Sequence, residues 1–396
     1  MAGLSFEAKL GFLIQPTTLD LLQKICLDPR DDLAISSLAS MKPLPSPFRI
    51  ALLEQRKLRL KAVKKNPGAM DMLFTPLGLE QMTHFEISKY KSSRYDLNIR
   101  SAVDLCCGLG GDSLFLPDSM KVVGLDRALE VLLAYRFNLR NRKRTYSVLG
   151  DVEKSGLRAD MALLDPSRRT KGKALRWQEE DLSPGWNVIE GLISQYGNMA
   201  IKLGPGIPLP DFLLEHEVEY IGLRDECLEA LVWTGQLGRP GWVKAVELPS
   251  GAIVEARRDD LADSFERCEA PGAFLFEPVK SVVRAHLFGV LAERHGLWQV
   301  DPQIAYLSGS TLVESPLLKP YRLLQELPFD FKVLKEFLRK EQVGRLEIKK
   351  RGLALIPEEF RAKVTLSGPN SGTLIFTKVM NKKTVFWAEA LKKEAV

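Results

Sequence analysis

Histidine is scarce in this chain of 396 residues, which has four, at positions 84, 216, 286 and 295. No two of them share a metal-ligand spacing. His216-Glu217 opens like a zinc-protease helix, yet the second histidine would have to stand where Tyr220 does. Metal chemistry is therefore not expected. Cysteine is nearly as rare, and the five present include no C-x-x-C pair. That usage points to a reducing cytoplasm rather than to a disulfide scaffold. No serine sits in a G-x-S-x-G elbow, and there is no internal repeat or low-complexity tract. No apolar run is long enough to cross a membrane, and the patch Leu10 to Ile14 lacks the small-residue cleavage site of a secretion signal.

What is there is a succession of strand-like runs, each ending in an acid or a glycine turn. Ser101 to Leu105 reads as a buried strand that breaks at Gly108 and Gly110, with Leu114 to Leu116 beginning a helix. Glycine at those two positions removes side chains that would hold a ligand away from the backbone. A dinucleotide fold would show G-x-G-x-x-G here, but the third glycine position is Ser113, and Asp104 just before the turn would repel a pyrophosphate. Lys121 to Leu125 forms a second strand and ends at Asp126-Arg127, with Asp126 standing 18 residues after Gly108. An acid at that distance reaches a ribose diol. The same carboxylate suits the start of a helix over Ala128 to Leu139, and both roles can hold at once.

Thr145 to Leu149 leads to Gly150-Asp151, where a carboxylate would contact an adenine amino group or serve only as a turn residue. Asp160 to Leu164 ends in Asp165-Pro166-Ser167-Arg168-Arg169, and Met199 to Leu203 ends in Gly204-Pro205-Gly206. The pattern describes an open parallel α/β sheet whose ligands gather at the carboxyl ends of the strands. Beyond it, Glu217 to Gly222 and Leu228 to Thr234 read as two close strands. Trp242 to Glu247 and Ala252 to Arg257 read as a hairpin.

Length and a hydrophobic fraction of 45% fit more than one domain. The expected division is a helical region over 1–95, an α/β core over 96–257 and a small α+β domain over 270–396. Within the first, Phe48 to Lys65 is amphipathic, with Ile50, Leu53, Leu58 and Leu60 set against Arg56, Lys57, Lys61 and Lys64.

Asp104-Leu105-Cys106-Cys107-Gly108-Leu109-Gly110 resembles motif I of the class I methyltransferases, D-x-C-x-G-x-G, in which the acid suits the ammonium group of S-adenosylmethionine. Asp165-Pro166-Ser167-Arg168 resembles the motif IV of nucleic-acid and amine methyltransferases. It departs from that motif at Arg168, where amino-group methyltransferases usually carry an aromatic residue that stacks a base. Uridine C5-methyltransferases have a related Asp-Pro-Pro-Arg, yet their attack through carbon needs a cysteine near the fifth strand, and Lys202-Leu203-Gly204-Pro205 has none.

A longer ordered series extends the likeness. It runs through Leu79-Glu80-Gln81-Met82-Thr83, Lys89-Tyr90-Lys91, the two motifs, Lys202 to Gly206 and Glu226-Cys227, then more loosely through Glu277-Pro278, Glu347 to Gly352 and Leu366-Ser367-Gly368. The series resembles bacterial class I methyltransferases with a C-terminal THUMP-like domain. The resemblance implies a Rossmann-like core, S-adenosylmethionine as cofactor and RNA, tRNA or rRNA, as partner. It implies cofactor contacts from Gln81, Asp104, Cys106, Gly108, Gly110, Asp126, Arg127 and Asp151, with Asp165, Pro166, Ser167 and Arg168 at the reacting centre.

Charge supports a polyanion partner. The net charge is only +6, but from Lys319 to Val396 there are 17 Lys and Arg against 9 Asp and Glu, a balance of +8 that leaves the remainder at −2. Lys349-Lys350-Arg351 and Arg169 are the expected phosphate contacts. A second basic run, Arg140 to Arg144, also suits a helix C-terminus for purely structural reasons. The expected activity is methylation of a base nitrogen in structured RNA. A non-catalytic RNA-binding protein that retains the cofactor fold is the alternative, and Asp104 with Ser113 disfavours an NAD-linked oxidoreductase.

Overall fold

The computed structural model of the protein describes residues 6–27, 44–95, 98–168, 181–261 and 269–391. Its first strands are short aliphatic runs: β1 (Ser101–Leu105), β2 (Lys121–Asp126), β3 (Thr145–Leu149), β4 (Met161–Leu164), the two-residue pair β5 (Ser167–Arg168) and β6 (Leu182–Ser183), and β7 (Met199–Leu203). β1, β4 and β7 are buried along almost their whole length, as parallel strands covered on both faces must be. The order is β3-β2-β1-β4-β7 and every pairing is parallel. The chain runs outward from β1 to β3, then returns to the other side of β1. That reversal opens a crevice at the carboxyl ends of β1 and β4, where Asp104 and Asp165 stand.

The helix expected to start at Leu114 does not form. A single 3-10 turn, Ser113–Phe115, takes its place. Pro117 follows within two residues and disfavours helical backbone before it, and β2 begins soon after. One flank of the turn is instead filled by the N-terminal segment, since a side chain at Gly111 would press on Met82 and Thr83.

Helix Ser46–Ala62 covers most of the stretch expected to be amphipathic, but its buried face differs from the expected one: Ile50 is exposed, and Leu52, Leu58 and Ala62 join a cluster with Leu22 and Phe74 beside the buried Gln55 and Arg59. The cluster also takes in Leu109 of the glycine turn and Ala134 of helix Leu129–Asn138. Side chains fix the connecting segment as a sheet neighbour would. Gln55 donates to Phe74 O at 2.7 Å and accepts from Phe74 N at 3.1 Å, Arg59 donates to Met72 O at 2.8 Å, and Asn138 pairs with both backbone groups of Leu73. Each such buried bond contributes about 1 kcal/mol net, and losing one partner costs more than that.

Contacts divide the protein into two units. The first holds Met1–Leu203, Leu209–His216 and Leu231–Pro240, and the second holds Gly204–Pro208, Glu217–Ala230 and Gly241–Val396. The N-terminal helices thus share a unit with the parallel sheet.

After β7, β8 (Glu217–Leu223) turns through Arg224 and Asp225, at φ of 50° and 68°, into β9 (Glu226–Trp233). Two successive positive φ values make the twisted turn that hairpins favour. β10 (Trp242–Leu248) lies parallel to β8 and forms the expected hairpin with β11 (Ala252–Arg257).

A separate sheet follows. Its strands are β12 (Phe274–Pro278), β13 (Trp298–Asp301), β14 (Ile304–Gly309), β15 (Leu318–Pro328), β16 (Val343–Lys350), β17 (Asn370–Val379) and β18 (Lys382–Ala390), in the order β13-β14-β12-β15-β18-β17-β16. The sheet curls until its ends approach, with Met380 N donating to Val300 O at 3.0 Å and Arg351 Nη1 to Ala305 O at 3.4 Å. Tyr306, Tyr321, Ile375 and Phe386 fill the inner face. Helices Phe331–Lys340 and Pro357–Ala362 cover Leu346, Leu374, Phe376 and Val385 on the outer one.

Candidate active site

After β1 the backbone turns through three left-handed residues, Cys106 at φ 61°, Gly108 at 52° and Gly110 at 82°. The two glycines serve different ends. A Cβ on Gly110 would collide with Leu139 and Tyr135, so that glycine lets the turn lie flat on helix Leu129–Asn138. A Cβ on Gly108 would meet nothing within 4 Å, which leaves an open cradle at the mouth of the crevice. Beside it, Asp126 at the end of β2 accepts from Gly108 N at 3.3 Å and from Ala128 N at 3.0 Å. The carboxylate thus ties glycine turn to following helix, whose N-cap is Ala128 itself.

Beneath the turn, Asp104 is buried and accepts from Ser113 Oγ at 2.5 Å, and Tyr135 Oη donates in turn to Ser113 at 3.1 Å. Ser113 therefore stands where a third glycine would because it has a carboxylate to satisfy. Burial pushes the Asp104 carboxyl up to about 7, helped by Asp112 and Asp165 and opposed by the Ser113 bond and Lys91. Burial likewise pushes the Cys106 thiol up to about 12, with Asp126, Asp165 and Asp104 adding to the effect. Neither cysteine of the turn is a thiolate nucleophile near neutral pH.

The polar network behind Asp104 is not apparent from the sequence. Asp112 accepts from Lys91 Nζ at 2.6 Å, Ser88 Oγ at 2.8 Å and Thr83 Oγ1 at 3.3 Å. Burial alone would raise its carboxyl, but the charges of Lys91 and Lys202 and the bonds from Lys91 and Ser88 hold it below the usual range. Lys202, from β7, donates to Asp165 Oδ2 at 2.7 Å, Thr83 Oγ1 at 3.2 Å and Gln81 O at 3.4 Å. Its three protons thus have three oxygens. Lys91, Asp104, Asp112, Asp165 and Lys202 line one cavity of about 10 Å³, walled by Leu163 and Leu231. The signal for this network was present, since Thr83, Lys91 and Lys202 belong to the ordered series, but nothing in their spacing joins them.

The remaining expected residues fall in different places. Pro166 is buried behind Asp165, and Ser167 pairs with Ser183 through the short β5–β6 ladder. Arg168 pairs with Leu182 by its backbone, while its side chain and the whole of Arg169 lie outside the described residues. Gln81 is exposed and enters the site through its carbonyl. Arg127 is exposed. Asp151 is exposed too and accepts from Glu153 N at 3.1 Å, the turn role that its sequence also allowed.

In the C-terminal sheet, Lys349 lies opposite Ile375 and so points to the inner face, where its Nζ is 3.2 Å from Glu347 and 3.8 Å from Glu277. Arg351 joins it, 3.3 Å from Glu277 and over the Tyr306 ring at 5.2 Å. Lys350 points the other way and is exposed. The run is thus split between two faces, and its two inward cations meet a carboxylate.

The expected helical basic run is also engaged locally. Arg142 donates to Leu116 O at 2.5 Å and Pro117 O at 2.9 Å, and Arg144 to Ser119 O at 3.2 Å, so these side chains fasten the loop before β2. Among the described residues no three His, Cys, Asp or Glu side chains gather as metal ligands, and no helix is long and apolar enough to cross a membrane.

A parallel α/β sheet whose first strand runs into an open glycine turn, with carboxylates ending β1, β2 and β4, is the architecture of a class I methyltransferase. Comparison with known proteins agrees. Two uncharacterised S-adenosylmethionine-dependent methyltransferases of Mycobacterium tuberculosis, from strains CDC 1551 / Oshkosh and ATCC 25618 / H37Rv, are each 31% identical over 342 residues, covering 83% of this chain and 92% of theirs. This chain belongs to the S-adenosylmethionine-dependent methyltransferases. Residues 318–390, from the start of β15 to the end of β18, match the THUMP domain-like family. The crystal structure of a candidate methyltransferase of Porphyromonas gingivalis W83 shares the fold, with a TM-score of 0.75 at 20% identity over 98% of this chain and 97% of that one.

Proposed function

We propose that the protein methylates a base nitrogen of a structured RNA, a tRNA or rRNA. The observation that carries this reading is Asp165, held by Lys202 at the end of β4 in the same cavity as the buried Asp104. The THUMP domain-like segment and the basic C-terminal region support RNA as the acceptor.

The residues present fit the cofactor. The open Gly108 cradle admits a nucleoside against the backbone, Asp126 can receive a ribose diol, and Asp104 offers a buried carboxylate to an ammonium group. When bound, S-adenosylmethionine supplies a methyl group already activated as a sulfonium, so the protein has chiefly to align a nucleophile and manage its proton. Asp165 accepts an N–H of the acceptor base and takes that proton as the nitrogen alkylates. Lys202 engages one oxygen of Asp165 and so orients the other toward the acceptor. Leu164 and Pro166, both buried, fix the backbone on either side.

The test is transfer of labelled methyl from S-adenosylmethionine to RNA extracted from cells that lack the protein. Label should enter RNA with the wild-type chain. Label entering protein or small molecules alone would overturn the reading.

A further inference from the structure

Given that RNA reading, we propose that the RNA backbone lies on the exposed face of helix Phe331–Lys340 rather than on the Lys349–Arg351 run. The helix reads Phe-Lys-Val-Leu-Lys-Glu-Phe-Leu-Arg-Lys and carries four cations against one acid, Glu336. Lys332, Lys335, Arg339 and Lys340 are all exposed. At 3.6 residues per turn, Lys332, Lys335 and Arg339 fall within about 60° of the helix circumference and span about 10 Å of its length. They form a single stripe. Leu334 and Leu338 lie on the opposite side and are buried in the sheet.

The stripe is also held rigidly. Asp330 caps the helix by accepting from Lys332 N at 2.7 Å and Val333 N at 3.2 Å. Phe331 packs edge-on against Phe360 at 5.3 Å, and Phe337 against Trp387 at 5.5 Å. Lys383 stands over the Phe329 ring, which itself touches Phe331, and adds a further exposed cation near the helix start.

The chemistry selects among polyanions. A helix that docks on lipid must present an apolar face to the acyl boundary, whereas here Phe331, Leu334, Phe337 and Leu338 pack into the sheet, which leaves Val333 as this helix's single exposed apolar side chain. A cationic stripe without an available apolar face suits the phosphates of a nucleic acid. The Lys349–Arg351 run lacks this property, because Glu277 lies against both of its inward members.

The test uses the full chain and total tRNA from cells lacking the protein, with affinity measured across a salt series. In the variant K332Q/K335Q/R339Q, affinity near 0.1 M salt should fall by about tenfold or more, and the slope of log affinity against log salt should flatten by about 2 to 3 units. S-adenosylhomocysteine binding and melting temperature should stay at wild-type values, since exposed substitutions cost little. The charge-preserving K332R/K335R should keep the wild-type slope. K349Q/R351Q should change the slope by less than about one unit. Wild-type slopes in the triple helix variant would overturn this face alone. Failure of the wild-type chain to bind tRNA, and rRNA assayed in the same way, at any salt would overturn the RNA reading with it. Preference for phosphatidylserine vesicles over tRNA would assign the face to lipid instead.

Discussion

The glycine turn after β1 and the basic run at the end of β16 are both short, conspicuous sequence features, and the structure treats them in opposite ways. Asp104 to Gly110 stays together in space, because a turn keeps neighbours in sequence on one small surface. Lys349, Lys350 and Arg351 are dealt alternately to two faces of a sheet, as the two-residue period of a strand requires. A run of like charge is one surface on a turn and two on a strand. The helix Phe331–Lys340 makes the same point from the other side, since cations three and seven residues apart gather there into one stripe.

The largest effect should come from Asp165. Asp165→Ala should lower methyl transfer by about 10²- to 10⁴-fold, the range in which a positioned acid or base contributes, with S-adenosylhomocysteine affinity nearly unchanged by calorimetry. No covalent RNA adduct should accumulate on denaturing gels, because Lys202-Leu203-Gly204-Pro205 at the end of β7 holds no cysteine. Parallel loss of cofactor binding would show that Asp165 belongs to the cofactor and not to the acceptor.

The two glycines of the turn should separate next. Gly110→Ala places a methyl against Leu139 and Tyr135 at positive φ and should destabilise the fold by about 2–4 kcal/mol, read in a denaturant melt. Gly108→Ala meets open space, so its stability cost should be only about 1 kcal/mol while cofactor binding suffers. Equal melts with equal binding would dissolve the distinction drawn between them.

Asp104 gives a smaller, pH-dependent effect. Its folded carboxyl lies at about 7, above the ordinary 3.8, so the folded state holds a proton that the unfolded chain has released. The stability owed to that proton is complete below about pH 4 and is lost as pH rises through about 7. An ammonium ligand prefers the ionised form, so S-adenosylhomocysteine affinity should climb by up to about tenfold per pH unit below 7 and level off above. Asp104→Asn should flatten both curves. A pH-independent affinity in the wild-type chain would show that the ammonium lies elsewhere.

Much of this was legible in the sequence, and the rest was hidden for physical reasons. The five strands β1, β2, β3, β4 and β7 of the parallel sheet and the ends of β1, β2 and β4 followed from aliphatic runs stopped by glycine or acid, whereas β16 and its parallel pairing with β17 did not. The 3-10 turn at Ser113–Phe115 resembles a helix start in sequence, because Leu114 to Leu116 suit a helix until Pro117 and the nearness of β2 are weighed. Lys91, Asp112 and Lys202 are not joined by the sequence because their contacts cross 21 to 121 positions of chain, and only folding brings them together. Glu277 was invisible as the partner of Lys349 and Arg351 for the same reason.

Mass mapping of RNA nucleotides from cells with and without the protein is the sharpest test of the proposed action on RNA through Asp165. One methylated base should be missing in the absence of the protein, return with the wild-type chain, and stay missing with Asp165→Ala. An RNA modification profile identical in all three would contradict it.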